Sequence, residues 1–195
     1  MSRHTEISLA EAKGWRTPVN LLILMVAANA IAFSTWSALL NNFAIEAASF
    51  SGKEIGILQS IREIPGFLAF TTVFVLLLLR EQTFVLLAVA LLGLGVALTG
   101  FFPNELTVYF TTILMSVGYH YFFTLQNSLA LQWIPAEHTP LTLGRLSAAR
   151  SYAAIRVLAG IWLGLEFWQL DYRWLSQLAG TATVVVVLWG WRAFP

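Results

Sequence analysis

The chain has 195 residues, 58% of them hydrophobic and 11% charged, with a mean hydropathy of +0.73. A soluble domain carries about 25% charged residues, so a water-covered surface is hard to assemble from this composition. A net charge of +1 gives no electrostatic footprint for nucleic acid, and the lack of cysteine excludes disulfides and thiolate metal sites.

Residues 1–18 are polar, carry Arg3, Lys13 and Arg16, and read as a cytoplasmic N-terminal segment. An apolar run follows Pro18 and continues to Leu40. Ala28, Asn29 and Ala30 loosely fit a small-x-small cleavage site, but the run is too long for a signal-peptide core and reads as an uncleaved first helix. Apolar stretches long enough to cross a bilayer recur along the rest of the chain. They predict a 19–195 bundle of six spans, at about 19–40, 55–79, 83–103, 107–133, 145–168 and 174–193. Arg80, Glu81 and Gln82 join spans two and three; Pro103, Asn104 and Glu105 join spans three and four. Links this short force antiparallel neighbours.

Arg3, Lys13, Arg16, Arg80, Arg145 and Arg192 fall on one side of such a bundle, Lys53 and Arg173 on the other. The positive-inside rule then places both ends in the cytoplasm. Ile23, Leu24 and Met25 in span one reappear as Ile113, Leu114 and Met115 in span four, 90 residues on. Two three-helix units in series have opposite topology, the arrangement of inverted repeats with a site at the midplane.

Polar residues stranded inside the spans are the candidate site. Asn29 lies in span one, with Phe33 and Trp36 following on its face. In span two, Gln59, Arg62, Glu63 and Gly66 share a face, and Pro65 removes a backbone donor beside them. Glu63 lies ~12 Å into its span, near the middle of a ~30 Å layer. It reads as a proton-titrating carboxylate with Arg62 as partner or substrate anchor. The alternatives are a structural ion pair holding two helices together, or an interfacial pair on a later-starting span. In span four, His120, Thr124 and Asn127 share a face beside Tyr119, Phe123 and Gln126. Histidine titrates near neutrality and suits proton coupling, but an isolated one is also often just hydrogen-bonded.

Span five carries Arg150, shallow enough to snorkel, and Arg156, ~16 Å deep, for which Glu63 is the candidate anion. If they pair, the charge of Arg62 is spare and suits an anionic or carboxylated substrate. Gly160 and Gly164 form a small-residue helix contact. Glu166 is read as interfacial. Asn29, Arg62, Glu63, His120 and Arg156 thus reach one level from four spans, as a water-filled cavity requires. His4, His120 and His138 make no metal-ligand spacing, and no cofactor is called for.

Six spans with tight hairpins, the stretch GILQSIREIPGFL at 56–68 and GRLSAARS at 144–151 resemble the amino-terminal half of a bacterial major facilitator superfamily transporter. Of that family's signatures, Arg80 remains from the loop between spans two and three, Gly118 from span four, and Gly160 with Gly164 from span five. The resemblance implies an all-α membrane protein of two inverted three-helix repeats in the plasma membrane, the inner membrane of a bacterium. It also implies secondary transport of a small molecule by alternating access, with six further spans or a homodimer partner completing the path. Asn29, Trp36, Gln59, Arg62, Glu63, Tyr119, His120, Asn127 and Arg156 would form the substrate and proton pathway, with no catalytic residue. A non-transporting membrane subunit or scaffold is the alternative. An intramembrane enzyme is disfavoured, because the chain has no Gly-x-Ser-x-Gly, no His-Glu-x-x-His and no paired aspartates in separate spans.

Overall fold

The computed structural model describes residues 15–193, all of whose regular structure is helical. The proposed cytoplasmic segment lies outside the described residues as far as position 14. Six long helices are present: α1 Pro18–Asn42, α2 Gly52–Phe67, α3 Glu81–Thr99, α4 Glu105–Trp133, α5 Thr139–Glu166 and α6 Tyr172–Ala193. Among the described residues, three segments are long and apolar enough to cross a membrane: Pro18–Ala47, Glu81–Thr99 and Tyr172–Ala193. These are α1 with its extension, α3 and α6.

The helix starts follow local chemistry. Thr17 caps α1 by accepting from the Asn20 amide at 3.2 Å, and Pro18 occupies the first turn, where no backbone donor is missed. Asn104 caps α4 at the Thr107 amide, 3.0 Å away. Ser51 opens α2 with a reciprocal box: its hydroxyl accepts from backbone amides while Glu54 reaches back to the Ser51 amide at 2.9 Å.

Three helices depart from the expected spans. Span two is not continuous over 55–79: α2 ends at Phe67, two residues after Pro65, and passes through a 3-10 turn at Leu68–Thr71 into a short helix at Thr72–Val75. The missing Pro65 donor weakens the ladder there. Beyond the proline, the Tyr121 hydroxyl holds the 3-10 turn, bonding to the Leu68 carbonyl at 3.3 Å and to the Thr71 hydroxyl. Span five begins at Thr139 rather than 145, with Pro140 in its first turn, and α3 stops at Thr99 rather than 103. At its far end α1 continues into a π-helical turn, Phe43–Ala47, before Ser49 reverses the chain in the left-handed region at φ 58°.

Helix α3 is the centre of the bundle, packed on α4, α6 and α1. Bare glycine backbone allows the closest of these contacts. A Cβ on Gly118 would lie 2.4 Å from the Ala88 carbonyl oxygen and the Leu92 nitrogen, and one on Gly180 would lie 2.4 Å from the Ala97 nitrogen. The Thr183 hydroxyl ties α6 to α1 by donating to the Ala28 carbonyl at 3.1 Å. Val85, Val89, Leu92 and Val96 of α3 are fully buried between Leu22 and Val26 of α1 and Met115, Phe122 and Leu125 of α4.

Around this centre, α1 packs on α5 and α6, while α4 packs on α2 and α3. Exchanging α1 with α4, α2 with α5 and α3 with α6 maps these pairings onto themselves. The α1–α3 contact has no counterpart of similar extent between α4 and α6. The expected Gly160–Gly164 contact forms only in part: Gly164 meets Leu175, whereas Gly160 faces open space.

Two stability predictions follow from these contacts. Gly118→Ala should destabilise by about 1–3 kcal/mol, the usual cost of overpacking, whereas Gly144→Ala, with nothing within 4 Å, should be neutral or slightly stabilising. Thermal melting in non-ionic detergent distinguishes them, and equal melting points would refute the close α3–α4 approach. At the mouth of α2, the Ser51 hydroxyl and backbone hold the Glu54 carboxyl below its ordinary value of 4.5. A lowered folded-state value means stability present above that ordinary value and lost as pH falls through the lowered one. Ser51→Ala should cost about 1 kcal/mol at neutral pH, and its melting-point gap from the unaltered chain should narrow below pH 4.5. A pH-independent gap would show that Glu54 does not take part.

Candidate functional site

Helix α2 lies against α4, and the two meet at a polar patch. Arg62 and Glu63 are adjacent on α2, and their long side chains curl together: Arg62 Nε and Nη2 both donate to Glu63 Oε1, at 2.9 and 2.6 Å. The pair is partly open, with side chains 32% and 50% exposed. From α4, the Ser116 hydroxyl donates to the Arg62 carbonyl, and the His120 imidazole faces the same carbonyl. The His120 ring abuts Gly66, where a Cβ would come within 2.9 Å of its Cε1. The face shared by Arg62, Glu63 and Gly66 therefore seats the histidine.

An aromatic wall continues from this patch. Tyr119 stacks on Phe33 of α1 with centroids 4.1 Å apart and planes 17° apart, and contacts His120 edge-on at 5.4 Å. On its other side Tyr119 meets Phe123 at 5.5 Å. Phe33, Arg62, Glu63, Met115, Ser116, Tyr119 and His120 line a cavity of about 200 Å³. A larger cavity of about 260 Å³, behind Pro65 and between Leu68, Phe84 and Tyr121, is almost wholly apolar and offers no comparable chemistry.

The structure thus gathers Arg62, Glu63, Tyr119 and His120 from the sequence candidates and separates the others. Gln59 is half-buried one turn before the pair. Asn29 is buried at 2% exposure, and its Nδ2 has no hydrogen-bond partner among the described residues. Trp36 is buried in the core with its indole nitrogen unpartnered, so Phe33, not Trp36, is the α1 residue that reaches the cavity. Asn127 is exposed and accepts from the Gln126 amide at 3.4 Å.

The expected Arg156–Glu63 pair does not form. Arg156 is exposed, and Glu63 is occupied by its neighbour Arg62. The convergence of Arg156 with the other charges rested on a helix start at 145. With α5 starting at Thr139, the depth assigned to Arg156 belongs to Arg150, which is half-buried, bonds to Gln126 Oε1 at 2.8 Å and lies 4.5 Å over the Phe123 ring. Sequence reading placed Arg150 at a shallow, snorkelling depth, although Pro140 marks the earlier start of its helix.

The patch joins a carboxylate, an imidazole and a phenol in a pocket backed by apolar helices. It can bind and release protons, and its aromatic wall can hold an apolar or planar group. No known family model matches the sequence, and no curated protein matches it.

Proposed function

We propose that the chain is a bundle of a secondary active transporter, with six helices spanning the plasma membrane and a proton-coupled site between α1, α2 and α4. The observation that carries this reading is the meeting of Glu63, Arg62, His120 and Tyr119 in one cavity. A central charge on a membrane helix costs about 2.5–3.5 kcal/mol on insertion scales, and such residues mark ion and substrate paths.

The helices other than α1, α3 and α6 support it by their composition. At ~1.5 Å per residue, α4 and α5 exceed the ~30 Å apolar layer, as does α2 taken with its 3-10 turn and short helix. They fall short of the apolar helices because they carry the polar residues that a path needs. The exchange symmetry of the helix pairings is what two inverted three-helix units would produce, and such units place their site between them. These features, with the stretches at 56–68 and 144–151, favour a major-facilitator-like bundle with both ends cytoplasmic. The opposite wall of the path would come from six further helices or a second copy.

In this mechanism Glu63 is the proton carrier and His120 its relay. Glu63 faces Arg62 on its own helix and Tyr119 and His120 on α4; Arg150 of α5 stands behind Tyr119, and α1 contributes the uncharged Phe33. Protonating Glu63 releases Arg62, which changes the charge offered to substrate and biases the bundle between its two openings.

Proteoliposomes containing pyranine test the reading, with proton movement followed as gradients of hexoses, amino acids and dicarboxylates are imposed. At least one gradient should drive proton flux through the unaltered chain. Glu63→Gln should abolish that flux while the purified protein keeps its melting point. Undiminished flux in the variant would remove Glu63 from the proton path. A silent unaltered chain would exclude a second copy of the chain as the opposite wall of the path.

A further inference from the structure

Arg150 lies eleven residues into α5, and its side chain turns toward α4. Its Nη2 donates to Gln126, which is itself only 4% exposed. The Gln126 amide nitrogen is directed at Asn127, which leaves the amide oxygen for the arginine. Arg150 Nε is buried without a hydrogen-bond partner among the described residues. No carboxylate there pairs with it either: the ion pairs among the described residues are Arg62–Glu63 and His138–Glu137.

A guanidinium has five donors in a planar fork that matches a carboxylate. Gln126 uses one of them, and the outer edge carrying Nη1 bonds to no described residue. The ring under the guanidinium, Phe123, continues through Tyr119 to Phe33 and the cavity. Arg62 and Glu63 cancel each other, so Arg150 leaves this aromatic wall with an unmatched positive charge.

We propose that Arg150 anchors the substrate, a small organic carboxylate whose apolar body lies along Phe123, Tyr119 and Phe33. This rests on the transporter reading and names the substrate class of the same site. The carboxylate takes the open edge of the guanidinium, and the aromatic ladder leads from that anchor to the Glu63–His120 cavity.

Thermal shift in non-ionic detergent at pH 7.5 tests it with acetate, benzoate and phenylacetate, each against its amide. At least one acid should raise the melting point while its amide does not. Arg150→Gln should remove that shift. Arg150→Lys, a point charge without the fork, should weaken the affinity on the order of tenfold. Arg145→Gln, exposed on the same helix, should keep the shift. If Arg150→Gln does not fold, the acid–amide comparison and the lysine variant decide.

The proposal is overturned if none of the acids acts, if the amides act equally, or if Arg150→Gln keeps the full shift. A lipid phosphate is the rival anion. Nanodiscs of phosphatidylcholine with and without phosphatidylglycerol address it: Arg150-dependent stabilisation by phosphatidylglycerol without any response to the acids would overturn the carboxylate assignment. Acid binding without proton flux would uphold Arg150 and sink the proton role of Glu63. Proton flux driven by a neutral solute, with no acid binding, would do the reverse.

Discussion

Helix α3 touches α4 and α6 backbone to backbone, and the positions of the other helices depend on those two contacts. Gly118 of α4 is set against Ala88 and Leu92, and Gly180 of α6 against Gly93 and Ala97. If the bundle sits in lipid, the hydrophobic effect does not hold its helices together, and dispersion at close approach and a few interhelical hydrogen bonds take its place. A helix fixed this tightly has little freedom to rotate. Pinning α4 by Gly118 directs Tyr119 and His120, the next two residues, away from α3 and toward α1 and α2. The site is therefore a consequence of the glycine contact on the opposite face of the same helix.

The charges inside the bundle are handled locally. Arg62 and Glu63 pair along one helix rather than between two, so the pair cannot serve as a tie between helices. What joins α2 to α4 is instead Ser116 on the Arg62 carbonyl, His120 on Gly66 and Tyr121 on the segment beyond Pro65. These contacts engage backbone and bare glycine, and they leave both charged side chains partly open to the cavity. With both partners partly exposed, the pair itself contributes little to stability.

Much of this was legible in the sequence. Apolar runs predicted six helices in the right order, and helical spacing put Arg62, Glu63 and Gly66 on one face and His120 beside Tyr119. The break in α2 was also legible, since Pro65 removes a donor whatever the context. Less legible was the pairing of side chains across helices, because spacing fixes depth and azimuth but not which helix lies opposite. Arg156 was matched to Glu63 on depth alone, from a helix start six residues too late. The signal that corrects it, Pro140 in the first turn, was present but lay outside the apolar run used to delimit the span. Trp36 was misplaced for a related reason: it shares a face with Phe33 and Asn29, but the packing of α1 sends that end of the face into the core.

On the transporter reading, the charges account for coupling without a long-range device. With Glu63 ionised, Arg62 is neutralised by it and the aromatic wall carries the single charge of Arg150. With Glu63 protonated, Arg62 is released and the wall carries two. An anion seated at Arg150 then binds more strongly when the proton is present, and by linkage the proton binds more strongly when the anion is present. Positive linkage of this kind favours loading proton and anion together, as a symport reading requires. Phe123 and Tyr119 stand between the two centres: Arg150 lies 4.5 Å over Phe123, Phe123 meets Tyr119 at 5.5 Å, and Tyr119 contacts His120 of the Glu63 cavity at 5.4 Å.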